Sequence, residues 1–251
     1  MPDPADDERY ARQLPVTGSE GQRILSRSHA LVAGAGGLGS TIAACLAGAG
    51  FGHIRIVDSD RIEKHNLNRQ ILYRDEDIGR FKADVAGEEL CALNPRIRVE
   101  GICEVISQET IRDLAAGMDL ILDGMDNFPT RYILNGTALE YGIPFVHGGV
   151  NGFYGQVSTI IPYKTPCLRC IVPVPPPAGP VPIIGVTTGI IGCIEATEAI
   201  KLRLGIGGVL AGRLLFWDGL RSETDTLVVD RAPRCIGCGG EHASAGRGGT
   251  P

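Results

Sequence analysis

Three groups of residues in this chain have the types and spacing to do chemistry. Gly34, Gly36 and Gly39 fit G-x-G-x-x-G within Leu31-Val-Ala-Gly-Ala-Gly-Gly-Leu-Gly39. Glycine lets a backbone approach phosphate oxygens, and a helix that follows offers free N–H groups to an anion. Asp58 ends the next apolar run, where an acid can hold ribose hydroxyls. Asn66, Asn68, Arg69 and Gln70 could supply donors to a polyphosphate, against the plain reading of a solvated loop. A second group is Asp123-Gly-Met-Asp-Asn127. Two acids at a strand end can hold magnesium, or the turn can simply cap the next helix, with Asp126 or Asn127 as N-cap and Pro129 near N1. The third group is Cys167-Leu-Arg-Cys170 with Cys235-Ile-Gly-Cys238. Each pair gives two thiolates from one tight turn, and four thiolates close a tetrahedral zinc shell. The stretch between the pairs is too long for a zinc ribbon, so the reading is a zinc clamp joining distant segments. A redox role for either pair lacks a thioredoxin-like context.

These groups need elements to position them. Apolar runs at 31–33, 54–57, 98–102, 119–122 and 144–147 read as strands. The small apolar segment at 40–49 reads as a helix, so the first glycines open a βαβ unit. Further helices are expected at 18–28, with Ile24 and Leu25 inward, at 79–93, at 107–116 and at 129–141. In the 79–93 helix Val85, Leu90 and Leu93 are spaced for a buried stripe, and Asn94-Pro95 stops it. Lys82 falls in the first turn, where a cation opposes the helix dipole, which hints that it meets an anion. The strand at 156–161 follows its predecessor without a helix, so the sheet turns mixed or antiparallel there. Pro173 to Pro182 is too proline-dense for a regular element and reads as an extended crossing. A helix at 185–203 has Ile190, Ile194 and Ile200 at compatible spacings, and strands are expected at 214–217 and 226–229. The fold class is therefore α/β, a Rossmann-like doubly wound, mainly parallel sheet with a C-terminal mixed or antiparallel extension.

Composition narrows the class further. With 251 residues, 43% hydrophobic and 21% charged, the chain can bury a sizeable core. A net charge of -5 argues against direct nucleic-acid binding. No apolar run is long enough to span a bilayer and the first residues are acidic, so no membrane segment or leader is expected and a cytoplasmic protein is the default. Eight cysteines in a reducing compartment then suggest metal binding or catalysis rather than disulfides. Cys45, Cys91 and Cys103 fall on apolar patterns and read as buried packing residues. Arg9-Tyr-Ala-Arg-Gln13 reads, from its own residues, as a solvated surface turn.

Taken together the motifs resemble the ThiF/MoeB/HesA family, relatives of ubiquitin-activating enzymes. The residues that carry the resemblance are Arg9-Tyr-x-x-Gln13 with Arg12, the glycine turn, Asp58-x-Asp60, Asn66-Leu-Asn-Arg-Gln70, Lys82, Asp123-x-x-Asp-Asn127, both cysteine pairs and Glu195-x-x-Glu-Ala-Ile-Lys201. The acidic, proline-bearing 1–8 and the small, polar, glycine-rich 241–251 read as flexible tails, and the resemblance implies one E1-like adenylation domain at 9–240 between them. Its nucleotide part would be 9–150 and its carrier-binding and zinc part 151–240. It assigns ATP to Gly37, Asp58, Asp60, Asn66, Arg69, Gln70, Lys82, Asp126 and Asn127. Asp58 would hold the ribose, Arg69 and Lys82 the phosphates, and Asp126 the Mg²⁺. Arg12 would reach the nucleotide site of the opposite subunit, which implies a homodimer and replaces the surface-turn reading. Cys167, Cys170, Cys235 and Cys238 match the family's structural Zn²⁺ ligands.

The reaction so implied is ATP-dependent adenylation of the Gly-Gly C-terminal carboxylate of a ubiquitin-like sulfur carrier, with release of pyrophosphate. A small-molecule carboxylate is the alternative substrate. A binding module would predict loss of Arg69, Lys82 or Asp126, and a dinucleotide oxidoreductase leaves Asn66 to Gln70 and the cysteines unexplained. One departure matters. Many relatives carry a cysteine in the crossing segment, which is 173–188 here and has none. The aligned place is held by Ala178 or its proline neighbours, so the expectation is an enzyme that stops at the adenylate. Cys193 could substitute, but its helical setting favours packing.

Overall fold

A computed structural model of the chain describes residues 3, 7–177, 179 and 181–239. The tail expected at 241–251, most of that expected at 1–8, and Ala178 lie outside these residues. The elements are α1 (Leu14–Ser26), β1 (His29–Ala33), α2 (Gly37–Ala49), β2 (His53–Val57), α3 (Lys82–Leu93), β3 (Arg98–Ile102), α4 (Ile111–Ala115) and β4 (Leu120–Asp123). There follow α5 (Phe128–Tyr141), β5 (Phe145–Asn151), β6 (Tyr154–Ile160), α6 (Leu168–Ile171), α7 (Gly185–Leu204), β7 (Arg213–Asp218) and β8 (Glu223–Val228).

All these strands join one sheet in the order β3-β2-β1-β4-β5-β6-β7-β8. The ladders from β3 to β5 are parallel, and those from β5 to β8 are antiparallel. The strand order therefore reverses between β1 and β4, and the crevice beyond their C-terminal ends is where such sheets bind ligands. Alternation along β1 shows how both faces are covered. Ala30 and Val32 pack with α1, α2, α3 and α7, whereas Leu31 and Ala33 pack with α4, α5 and α6. No helix among the described residues is long and apolar enough to cross a membrane.

Several local expectations shift. The first helix starts at Leu14, with a proline in its first turn, and kinks at Gly18, whose φ is 69°. The 79–93 helix starts only at Lys82, because the Arg61–Phe81 bridge holds the preceding residues extended. Leu93 is exposed, and the buried face runs instead through Lys82, Ala83, Val85, Ala86 and Leu90. α4 is shorter than expected because the chain before Ile111 is used in turns. α6 was not legible as a helix and spans the first cysteine pair. β8 is solvent-exposed throughout, so its pairing with β7 and not its hydrophobicity defines it. The reading of Cys45, Cys91 and Cys103 as buried fails, and so does that of Cys193 as a packing residue. Cys91 and Cys103 are exposed, Cys193 is exposed on its helix, and Cys45 is half-buried. Cys91 lies on the outer side of α3, and Cys103 follows β3, the edge strand, where an apolar pattern does not imply two covered faces.

The turn after β1 depends on close backbone approach. Gly34 has φ 91°, and a Cβ at Gly39 would lie 1.8 Å from the Gly34 carbonyl oxygen. Gly39→Ala is therefore expected to lower stability by about 1–3 kcal/mol, the usual cost of overpacking. The check is the urea midpoint against that of Gly48→Ala, whose Cβ would meet nothing within 4 Å.

Candidate nucleotide site and cysteine cluster

The glycine turn and the turn after β4 meet at the sheet's reversal point. Gly124 N donates to the Ala33 carbonyl at 2.7 Å, and Gly34 N donates to Val57 at 2.8 Å. Asp58, at the end of β2, accepts from the amides of Ala35 and Asp60, each at 2.8 Å. It thereby ties the glycine turn to the loop that follows β2. Burial pushes its carboxyl above the usual carboxylate range, against the pull of Lys82. Lys82 is buried at the start of α3 and pairs with Asp60 at 2.8 Å. The anion that its helix position called for is, within the chain, this carboxylate.

The loop over 63–70 is more ordered than a solvated loop. Asn66 is buried and its Oδ1 accepts from the Glu63 amide at 3.0 Å. Gln70 is also buried, and its Oε1 has no hydrogen-bond partner. Arg69 is half-exposed, and its guanidinium donates only to His65 O and Asn68 Oδ1. It makes no ion pair among the described residues, so its charge is available to an anion. α7 begins beside this loop, with Gly185 against the backbone of Asn68 and Arg69 and Thr188 against Gly37. The glycine turn, the 63–70 loop, Lys82 and the start of α7 thus lie side by side at the switch point, and they bring together Gly37, Asp58, Asp60, Asn66, Arg69, Gln70 and Lys82. An unpartnered buried amide oxygen and a guanidinium without a carboxylate are what a polar ligand such as a nucleotide would satisfy.

The two acids after β4 separate. Asp123 is fully buried, with His147 Nδ1 at 2.6 Å and Arg131 Nε at 3.1 Å. It is spent on internal contacts, and only Asp126 is exposed. Asn127 is the N-cap of α5, accepting from Thr130 N at 3.0 Å, which bears out the capping reading for that residue. Asp126 has Asn127 Nδ2 at 3.4 Å and is otherwise open to a cation. Arg131 and His147 had no sequence signal beyond being polar on apolar elements, and Glu195 was marked only as part of the motif that carries the family resemblance, with no role attached. Glu195 is fully buried and neither of its carboxyl oxygens has a hydrogen-bond partner. Burial, with Asp123 near, holds its pKa well above the usual carboxylate range, so it keeps its proton. Its presence also changes the reading of α7, whose buried face runs through Thr187, Thr188, Ile191, Glu195 and Glu198 and leaves Ile190, Ile194 and Ile200 only partly covered.

The motif near the N-terminus divides into anchor and free end. Tyr10 is buried, and its hydroxyl accepts from Asn94 Nδ2 at 2.9 Å. Gln13 donates to Gln22 Oε1 and to the Ala49 carbonyl. Both hold the segment to the C-terminal end of α2. Arg12 points outward and is exposed.

The cysteine pairs converge. The sulfurs of Cys167, Cys170, Cys235 and Cys238 all lie within 4.8 Å of one another, with Cys167 to Cys235 at 3.6 Å and Cys170 to Cys238 at 3.5 Å. Ligands about 2.3 Å from zinc would stand about 3.8 Å apart at tetrahedral corners, so the cluster fits zinc and not disulfides. Burial pushes the Cys167 and Cys170 thiols up. Burial opposes ionisation at Cys235 too, but the amides of Cys238 and Gly237 outweigh it and bring that thiol down to about 7. One ligand is thus readily deprotonated, the form metal binding requires. The cluster also braces α5: Leu168 N donates to Asn135 Oδ1 at 2.8 Å, and the Arg169 guanidinium stacks 3.4 Å from the Tyr132 ring centre.

Comparison with known proteins places this arrangement. A family model described as the ThiF family matches residues 10–237. A sulfur carrier protein adenylyltransferase of Thermus thermophilus is 44% identical over 93% of this chain and 91% of its own. A SAMP-activating enzyme E1 of Haloferax volcanii is 41% identical over 92% of this chain and 88% of its own. A crystal structure of E. coli MccB with MccA-N7isoASN superposes with a TM-score of 0.84 over 95% of this chain and 77% of that one, at 21% identity. That last likeness is one of fold.

Cys167→Ser is expected to reduce bound zinc to a minor fraction and to lower the melting temperature, because the remaining thiols cannot close the shell. Metal analysis of the purified protein with a thermal melt checks both, and full zinc retention would remove the clamp.

Proposed function

The chain belongs to the ThiF family, and on that premise we propose that it is an ATP- and Mg²⁺-dependent adenylyltransferase acting on the C-terminal carboxylate of a ubiquitin-like sulfur carrier. The observation that carries this reading is the crevice itself. It gathers a guanidinium without a carboxylate partner among the described residues, a buried lysine, the glycine turn and one exposed acid. The names of the Thermus and Haloferax relatives, an adenylyltransferase for a sulfur carrier protein and an activating enzyme for a SAMP, support the substrate class.

The chemistry follows from charge. A carboxylate is already ionised at neutral pH and needs no general base. Its oxygen attacks the α-phosphorus of ATP and pyrophosphate departs. The residues' task is to align the reactants and to offset phosphate charge. In this reading Asp58 holds the ribose, Arg69 and Lys82 hold the phosphates, and Gly37, Asp60, Asn66, Gln70 and Asn127 complete the nucleotide contacts. Asp126 holds the magnesium ion, which supplies further phosphate neutralisation. Lys82 would exchange part of its contact with Asp60 for phosphate oxygens.

Arg12 is exposed and anchored from behind by Tyr10 and Gln13, which suits an arginine that completes the site of a second copy in a homodimer. Residues 9–240 would act as one adenylation unit, with the nucleotide part at 9–150 and the carrier-binding and zinc part at 151–240. The sheet that runs unbroken from β3 to β8 supports that unity. Eight cysteines in the sequence and no disulfide among the described residues support a cytoplasmic location. With no cysteine in the crossing segment, the reaction stops at the acyl-adenylate, and Cys193 is a helix residue with the Cys45 sulfur 3.8 Å away.

Asp126→Ala is expected to lower ATP–pyrophosphate exchange by about two to three orders of magnitude, with an unchanged melting temperature. Exchange that requires a Gly-Gly-ended carrier protein supports the carrier reading, whereas exchange with a small acid alone would replace it. Mixing inactive Arg12→Ala and Asp126→Ala proteins should restore exchange, because half of each mixed pair's sites is intact. No recovery after subunit exchange would argue against shared sites.

A further inference from the structure

We infer that Arg131 is a positioning residue for the cation site at Asp126, holding the turn over 124–127 from beneath through a buried charge cluster. The inference rests on the reading of Asp126 given above.

Asp126 is exposed and its own side chain is held only by the 3.4 Å contact with Asn127 Nδ2. Its position must therefore come from the backbone beneath it. Arg131, one helical turn into α5, is 7% exposed. Its Nη2 donates to the Met125 carbonyl at 2.6 Å and to the Gly148 carbonyl on β5 at 3.0 Å, while its Nε faces Asp123. One planar guanidinium thus joins the turn, β5 and the end of β4. Asp123 closes the arrangement from the other side, since its Oδ1 accepts from Met125 N at 3.0 Å. The residue next to Asp126 is consequently fixed through both its N–H and its C=O.

The cluster is charge-balanced without help from Asp126. Burial works against the charged forms of both His147 and Glu195. What remains is one carboxylate and one guanidinium, a pair that resists separation in a dry setting. A lysine could not reproduce the contacts, because an ammonium lacks the planar fork that meets two carbonyls and a carboxylate together.

The test uses the full-length protein with Mn²⁺ as a spin probe and a non-hydrolysable ATP analogue, read by electron paramagnetic resonance. Arg131→Met should weaken Mn²⁺ binding by about tenfold or more, as loss of a supporting group around a metal ligand does. Affinity for the analogue without metal should hold. Adding Arg131→Met to Asp126→Ala should cause no further loss. Arg131→Met leaves Asp123 buried and unpaired, so Asp123→Asn with Arg131→Met is the second variant, and it removes both charges at once. A folded variant of either kind that binds Mn²⁺ within about twofold of the parent overturns the inference, since coupled neighbours change affinity by more than this. If Asp126→Ala itself leaves Mn²⁺ binding intact, the metal role of Asp126 fails and the inference with it. If Asp126→Ala loses the ion and the folded Arg131 variants do not, only the inference fails. Hydrogen exchange on the unmodified protein supplies a check free of folding defects. The Met125 amide should be protected before nucleotide is added, and protection arising only on addition overturns the preformed turn.

Discussion

The site depends on two backbone turns lying in contact at the point where the sheet reverses direction. The first follows β1 and the second follows β4, and the Gly124 amide donates across to Ala33 while Gly34 lies against the Gly124 carbonyl. Side chains on either turn would force the strands' ends apart. With the ends together, the glycine turn before α2, the acid at the end of β2 and the turn that carries Asp126 are neighbours at the switch point of the sheet.

The chain sorts its charges by depth around that contact. Asp123, Arg131, His147 and Glu195 are buried, and they hold one another or stay neutral. Lys82 is buried too but pairs with the exposed Asp60, and half-buried Asp58 clasps two amides. Arg69, Asp126 and Arg12 stand outermost, exposed or partly so. A buried pair that loses one partner costs about 3–5 kcal/mol, so the deep layer is rigid. The outer layer is left to respond to an anion or a cation. The cysteine cluster serves the same end from further away, because it braces α5, the helix that carries both Asn127 and Arg131.

Much of this was legible because short-range chemistry left marks in the sequence. The strand, glycine turn, helix and acid between 31 and 58 appear as expected, and so do the parallel strands, the change to antiparallel pairing after Gly152, and the four cysteines as one cluster. Lys82 signalled its anion by standing against a helix dipole. Asn127 announced the cap of α5 by preceding Pro129 at the right distance. Other readings failed where a local pattern was asked to report burial. Cys91 and Cys103 sit on apolar patterns, yet one faces outward from α3 and the other follows an edge strand. Leu93 fits a helical stripe but falls where α3 ends.

From sequence alone come the glycine turn after β1, the strand that ends in Asp58, the cysteine pairs and the family resemblance, because each is written in residues close together or in distinctive spacing. Tertiary structure alone decided which of Asp123 and Asp126 faces outward, that Arg131 pairs with the inner one while His147 hydrogen-bonds it, and that Glu195 is buried without a hydrogen-bond partner. The physical reason is that desolvation and pairing of charge depend on neighbours brought from β5, α5 and α7. Those neighbours are far apart along the chain, and no local pattern encodes which of two nearby carboxylates they will enclose.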